Sequence, residues 1–479
     1  MALKPHQTSR PHLSFTMRPT TILASAVVLT TFFFLFLHPT YRLPEHFHRA
    51  SQLRFHGDLR DARFAWNKLC FGPVTGNKLR LAVFSKKWPV GAVPGGMERH
   101  AHTLFTELAD RGHQVHVFTV SSDRQHRPDV VDGNLHLHFA TSDSGSLNCS
   151  LAVEMFYREN DVRPFDYVHT ESVSLPPWRA KHLPNVAATW HGIWYEIMHS
   201  TLFENLLWGA AGSDPQLSEA MPRLVEEIRF FSKYTQHICI SDSAGDILTN
   251  VYQLPPRDVH VILNGVDHKQ FAHDPISGAR FRTKHGVPEN ATLVMGVAGR
   301  LVKDKGHPLL YEAFSVVRRR HPGALLLVAG SGPWARRYEE LEPHVKVVGA
   351  LSPSELSEFY NAIDVFVNPT VRPQGLDLTL TEAMHCGKPV VAPNFPSIRG
   401  TVVVNDGLGY TFSPNVESLI EALEWAIRDG PVVLKEKGMA CKEHALSMFT
   451  ATKMASAYER FFLCMKDRNY CRYPLPSDC

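Results

Sequence analysis

The sequence predicts an α/β fold of two Rossmann-like doubly wound domains, each a parallel sheet flanked by helices, facing each other across a cleft. Three observations carry this. Short apolar runs alternate with amphipathic helical stretches in two series, one over residues 78–240 and one over 292–392. Between them, residues 274–290 lack a strong period and hold Pro275, Gly278, Gly286 and Pro288, which reads as a linker. A length of 479 residues is enough for two domains with full cores.

The elements follow in chain order. Nothing charged lies between Arg18 and Arg42, and residues 20–37 are apolar or small, ending in the run Phe32, Phe33, Phe34, Leu35, Phe36, Leu37. About 20 such residues span a hydrocarbon core as one helix. No small-x-small cleavage site follows, which favours an uncleaved anchor. An organelle transit peptide is the alternative, and the run's lack of amphipathicity weighs against it. The expectation is a cytosolic tail over 1–19, a transmembrane signal anchor over 20–41 and a His/Arg/Pro-rich stem over 42–77. A catalytic part in the Golgi or ER lumen, single-pass type II, goes with it. The first Rossmann-like domain is expected over 78–275, opening with a buried strand at 78–84. A Gly/Pro loop at 89–96 leads into a helix carrying Ala101, Leu104, Phe105 and Leu108 on one face. Further strands read at 114–120, 135–139, 165–169, 186–190 and 237–240. The second domain is expected over 290–440, with strands at 293–298, 324–329, 345–348, 365–368 and 389–392. Helices fall between them at 307–320, 353–361 and 376–386. A helix of roughly 435–460 then packs back across the first domain, within or before a C-terminal segment at 441–479.

Composition narrows the function. The chain is 44% hydrophobic and 20% charged, as globular proteins are, and a net charge of +3 without a basic stripe gives no support for nucleic-acid binding. Eight cysteines show no C-x-x-C pair. Cys239 and Cys386 read as buried thiols, and Cys464, Cys471 and Cys479 as candidates for disulfides. Asn148 and Asn290 begin glycosylation sequons.

Three segments carry chemistry. In doubly wound sheets ligands bind beyond the carboxyl ends of the strands, so the cleft is the expected site. At one strand end Gly299-Arg300 is followed by Lys305-Gly306 at a helix start. Alone, these are also ordinary loop charges; placed there, they suit a diphosphate clamp. After the first strand, Gly95-Gly96 lets backbone approach the same phosphates, although a tight turn explains such a pair equally. The third segment runs from Gln374-Gly375 through Glu382 to Gly387, a loop entering a helix whose Glu382 reaches for a ribose diol.

Taken together these segments resemble glycosyltransferase family 4, retaining enzymes with the GT-B fold. The family's Gly-Arg-Leu…Lys-Gly pattern is met by Gly299, Arg300, Leu301, Lys305 and Gly306. Ordered matches also occur at Gly95-Gly96-Met97-Glu98, Thr189-Trp190-His191-Gly192, Asn264-Gly265-Val266-Asp267 and Ala329-Gly330-Ser331-Gly332-Pro333. The resemblance implies that Arg300 and Lys305 bind the donor diphosphate with Gly95 and Gly96, and that Glu382 binds the ribose. His191 and Gln374 stand at the catalytic positions near the donor sugar, and Gly299, Gly330 and Gly375 form the donor loops. No Asp-x-Asp occurs, so no metal or other cofactor is expected. The departure is Gln374, where the family has the first Glu of its Glu-x7-Glu segment; an amide keeps hydrogen bonding but loses charge. The implied function is transfer from a nucleotide diphosphate sugar, UDP-linked in preference to GDP-linked, to a glycan, glycoprotein or lipid. A catalytically weakened nucleotide-sugar-binding or scaffolding homologue is the alternative.

Overall fold

The computed structural model describes residues 55–73, 76–91, 93–209 and 215–479. The expected tail and the 20–41 anchor run lie outside the described residues.

The described chain opens with a two-residue strand, β1 (Gly57–Asp58). Leu59, Trp66 and Leu69 follow and are buried in the core of the first domain. Trp66 meets His260 edge-on at 5.4 Å. The segment expected as a stem is therefore packed from Leu59 onward: its few large apolar side chains are spaced by polar residues, which hides them from a periodicity search but not from a hydrophobic surface.

The first large sheet has eight strands: β2 (Arg80–Phe84), β3 (Gln114–Thr119), β4 (Val130–Asp132), β5 (Leu135–Phe139), β6 (Tyr167–Glu171), β7 (Val186–Trp190), β8 (Gln236–Cys239) and β9 (Val259–Val261). Their order is β4-β5-β3-β2-β6-β7-β8-β9, and β4 alone pairs antiparallel. The second has six strands, all parallel: β10 (Leu293–Ala298), β11 (Ala324–Ala329), β12 (Val345–Gly349), β13 (Val365–Val367), β14 (Val390–Pro393) and β15 (Gly409–Phe412), in the order β12-β11-β10-β13-β14-β15. Central strands such as β2 and β11 are buried along their whole length, which is why they read as continuous apolar runs rather than alternating ones. The edge strands β4, β9 and β15 lack that signature and are additions to the expected set.

Two expectations change. The 274–290 linker contains a helix, Pro275–Lys284, capped by the Asp274 carboxylate, which accepts from the Ile276 N–H at 3.0 Å. Its apolar period is broken by Gly278, where a Cβ would lie 2.3 Å from the Asn361 carbonyl, so close packing rather than flexibility explains the glycine. The single closing helix is two, Val416–Met448 and Ala451–Lys466, with Thr450 capping the second through the Lys453 N–H at 3.1 Å.

The Ala451–Lys466 helix buries Met454, Tyr458, Phe461 and Phe462 in the first domain's core, so the C-terminal end of the chain returns to the beginning. The chain finishes with β16 (Arg472–Tyr473), antiparallel to β1. Disulfides join Cys464 to Cys471 and Cys70 to Cys479, while Cys239 and Cys386 are buried free thiols. Phe461→Ala leaves a cavity under this returning helix and is expected to destabilise the fold by about 3–5 kcal/mol, read as a lower denaturation midpoint with an unchanged m-value.

Candidate active site

The carboxyl ends of both sheets open onto one cavity of about 610 Å³. The first domain contributes Gly95, Gly96, Met97 and His191; the second contributes Gly299, Arg300, Lys305, Gly330, Arg372 and Asp377. Gly96 starts the Gly96–Asp110 helix, so that helix aims its N-terminal N–H groups at the cavity. A second N-terminus arrives from the other side with the Leu378–His385 helix. Both ends carry partial positive charge and suit an anion.

Two glycines let backbone come this close. Gly330 has φ +132°, and a Cβ there would fall 1.8 Å from the Gly299 carbonyl, so the β10 and β11 ends converge only without a side chain. Gly306 has φ +76°, and its Cβ would meet the Pro369 carbonyl at 1.8 Å.

The cations hold carboxylate partners. Lys305 is paired with Asp377, to which Asn368 Nδ2 also donates at 3.2 Å. Burial acts to raise the Asp377 carboxyl, but Lys305, Asn368 and Arg372 outweigh it and hold it below its ordinary range. Arg372 Nε donates to Asp304 at 2.8 Å. Arg300 is exposed, and its guanidinium has no partner among the described residues.

Glu382, Gln374 and Gly375 stand apart from this cavity. Glu382 is buried and takes Arg99 and the Tyr360 hydroxyl, the latter at 2.9 Å. Burial raises its pKa, opposed by the Arg99 charge. It lines a neighbouring cavity of about 570 Å³, which shares Val93, Pro94, Arg99, Pro353 and Leu378 with the first. Arg99 therefore stands between the clamp and the carboxylate expected to hold the ribose. Gln374, 6% exposed, turns toward the first domain: its Nε2 lies 3.2 Å from His199 Nδ1, and its backbone carbonyl accepts from Ser241 Oγ at 2.6 Å. Gly375 sits under Glu196, whose Oε1 is 2.8 Å from where a Cβ would be.

The Trp194–Trp208 helix makes these cross-domain contacts. Its Glu196, His199, Phe203 and Glu204 recur at helical spacing on one face. Glu204 takes Lys303 at 2.8 Å, and Phe203 packs on Phe395 with ring centroids 5.4 Å apart. Burial raises the Glu196 carboxyl, against the lowering influence of Arg372 and Lys305.

His191, just beyond β7, bonds through Nε2 to the buried carboxylate of Glu171 at the end of β6. His169 and His100 approach the other oxygen of Glu171 at 3.4 and 3.9 Å. Burial acts to raise Glu171, but the charges of His100 and His191 and hydrogen bonds from His169 and His191 hold it below its ordinary range. Burial pushes His100 down to about 3. Although no metal was expected, the ligand atoms of His100, Glu171 and His191 lie within 4.8 Å of one another, as do those of His116, His138 and Glu159. Glu171 was not singled out from the sequence; its place at the carboxyl end of a parallel strand was the available signal. Of the expected glycosylation positions, Asn148 caps the Cys149–Val162 helix by accepting from the Leu151 N–H at 3.1 Å, and Asn290 is exposed before β10.

Two parallel sheets meeting over a cleft with cations and helix N-termini at its wall define a GT-B-type sugar-transfer fold. Comparison with known proteins agrees. Residues 94–270 match the family model described as Glycosyltransferase Family 4, and 279–447 the one described as Glycosyl transferases group 1. The chain is 27% identical over 342 residues to the D-inositol 3-phosphate glycosyltransferase of Kineococcus radiotolerans, covering 66% of this chain and 76% of that protein. It is 25% identical over 422 residues to the glycogen synthase of Mycobacterium tuberculosis, covering 81% and 95%. Among solved structures, sucrose-phosphate synthase from Thermosynechococcus elongatus superposes with a TM-score of 0.65 at 20% identity, over 81% of this chain and all of that one. Anabaena HepE in complex with UDP and glucose gives 0.59 at 18% identity, over 80% and 99%. The chain is a glycosyltransferase of the GT-B fold, family 4-like over 94–270 and group 1-like over 279–447.

The Golgi or ER placement with a luminal catalytic part is corrected by the same findings. The two curated relatives named above are enzymes of bacteria, which have neither organelle, and among the described residues no helix is long and apolar enough to cross a membrane.

The Pro215–Phe231 helix offers a pH test. Glu227 accepts from the Trp194 N–H at 2.8 Å and from the Tyr252 hydroxyl at 2.5 Å, and burial pushes its carboxyl up to about 7. A raised folded pKa means that the folded state binds the extra proton, so this contribution is full below the unfolded value and is lost as pH rises through about 7. Between pH 4.5 and 7 the stability of the wild type relative to Glu227→Gln is expected to fall by on the order of 3 kcal/mol, measured by chemical denaturation at each pH.

Proposed function

We propose that this chain transfers a sugar from a nucleotide diphosphate sugar, UDP-linked in preference to GDP-linked, to a glycan or lipid hydroxyl with retention at the anomeric carbon. The observation that carries it is the convergence of Arg300, Lys305 and the N-terminus of the Gly96–Asp110 helix on one cavity. A diphosphate leaving group gains charge as the glycosidic bond breaks, and fixed cations and N–H groups in a recessed site stabilise that charge. Arg300 is free to receive it, and Lys305 exchanges Asp377 for a phosphate oxygen. Glu382 takes the ribose diol once Arg99 has moved off it. His191, on the first domain's side of the cavity, meets the donor sugar. No metal is needed for this assignment of roles. The choice of UDP draws on the HepE structure, whose ligands are UDP and glucose.

A second function, nucleotide-sugar binding with little or no transfer, is favoured by one observation: the Gln374 amide is turned into the domain interface rather than toward the donor cavity. Turnover separates the two. Nucleotide sugars screened by thermal shift, with stabilisation following mass action, identify the donor, and product analysis with that donor then decides. Measurable binding without transfer or hydrolysis would establish the second function. Arg300→Ala and Lys305→Ala are each expected to weaken UDP binding roughly 10- to 100-fold by calorimetry, the range for losing a charge-assisted hydrogen bond, and unchanged affinity in both would refute the clamp.

A further inference from the structure

The cluster beneath His191 is larger than a sugar-contacting histidine requires. One wholly buried carboxylate, Glu171, is faced by three imidazoles: His191 just beyond β7, His169 from β6 itself and His100 from the Gly96–Asp110 helix. From the Ala451–Lys466 helix comes Tyr458, whose hydroxyl meets Thr189 Oγ1 at 2.8 Å, and Thr189 in turn reaches His169 Nε2 at 3.1 Å. Only His191 among these rings also lines the donor cavity. Its Nε2 is directed inward to Glu171, and its Nδ1 has no protein partner among the described residues. His100 packs edge-on against His191, with ring centroids 4.6 Å apart, which restricts the ring from a second side.

We propose that Glu171 is the positioning residue for His191: its carboxylate accepts from Nε2–H, fixes the ring's tautomer and orientation, and so presents Nδ1 as the acceptor for a hydroxyl of the donor sugar. The inference rests on the transferase function proposed above and adds a residue and a chemical role to it. The physical case is threefold. A neutral imidazole can donate from one nitrogen and accept at the other, so an anion at Nε2 dictates what Nδ1 can do. Glu171 is held in its anionic form by the rings around it despite its burial. His100 stands farther off, its Nε2 3.9 Å from the other carboxylate oxygen and without a hydrogen-bond partner, so it does not displace His191 from Glu171 Oε2. Glu171 touches neither nucleotide nor clamp, so its influence is confined to the sugar end of the donor.

The test uses the full chain, with UDP and UDP-glucose as probes. E171Q is expected to lower UDP-glucose affinity and kcat/KM roughly 10- to 100-fold, as when the partner orienting a metal-bound histidine is removed, while UDP affinity changes by less than about twofold. E171D should recover part of the loss. In an H191N background E171Q should add nothing further, because both substitutions remove one function. Additive losses, or equal weakening of UDP and UDP-glucose, overturn the proposal by making Glu171 a general structural residue. Loss of UDP-glucose binding when the wild type is treated with a chelator overturns it by assigning the cluster to a metal. Failure of the transferase function is separately visible. In the ligand-free protein, ¹⁵N NMR of the His191 ring, assigned by its disappearance in H191N, is expected to show the Nε2–H tautomer. A ring protonated at Nδ1 alone overturns the proposal whether or not any nucleotide sugar is bound.

Discussion

A parallel strand can be followed only by a crossover that leaves from its carboxyl end, and this constraint governs where chemistry appears in the molecule. Each crossover places a loop, and usually a helix N-terminus, at the same edge of the sheet. With two such sheets facing each other, both sets of loops share one cavity. Gly95 and Gly96 follow β2, His191 follows β7, Arg300 follows β10 and Gly330 follows β11. None of these residues is near its partners in sequence. The shared edge makes them neighbours, and the returning Ala451–Lys466 helix, buried in the first domain's core, binds the two halves together.

The charges at the cavity are arranged as exchangeable pairs. Lys305 rests on Asp377, Arg372 on Asp304 and Arg99 on Glu382. A recessed cation without a counter-ion is costly, and each of these is held by a carboxylate. Arg300 differs: it is exposed, and its guanidinium has no partner among the described residues. The Arg99–Glu382 pair joins the two domains across the cleft, the one partner on the Gly96–Asp110 helix and the other on the Leu378–His385 helix.

The interface also explains how a glutamine can stand at position 374. A carboxylate turned toward His199 and the Trp194–Trp208 helix would lie beside the buried Glu196, and two anions in one dry region repel. An amide avoids this and still bonds to the imidazole. The substitution therefore fits its surroundings in the interface, whatever its consequence for the sugar.

How much was legible follows from what each signal depends on. The central strands, and the positions of Arg300, Lys305 and the two glycine loops at strand and helix ends, could be read because apolar runs and glycine–cation spacings are local properties of the chain. The packed segment around Trp66, the Pro275–Lys284 helix and the edge strands were missed because their apolar residues are sparse and acquire meaning only against a surface formed by distant segments. In the site, Glu382 and Gln374 were recognised as residues, but their directions were not recoverable: one faces Arg99, the other His199, and both partners come from the opposite domain. Glu171 was missed for a related reason. Its place at the carboxyl end of β6 is a faint signal until His100 and His191, from other segments, join His169 of its own strand around it. The sequence by itself determined the two-sheet architecture and the placing of Arg300 and Lys305 at a strand end and a helix start, because both are written in local pattern. Only the tertiary structure decided which carboxylate meets which cation or imidazole, because those pairings are set by side-chain geometry across a cleft that no local pattern encodes.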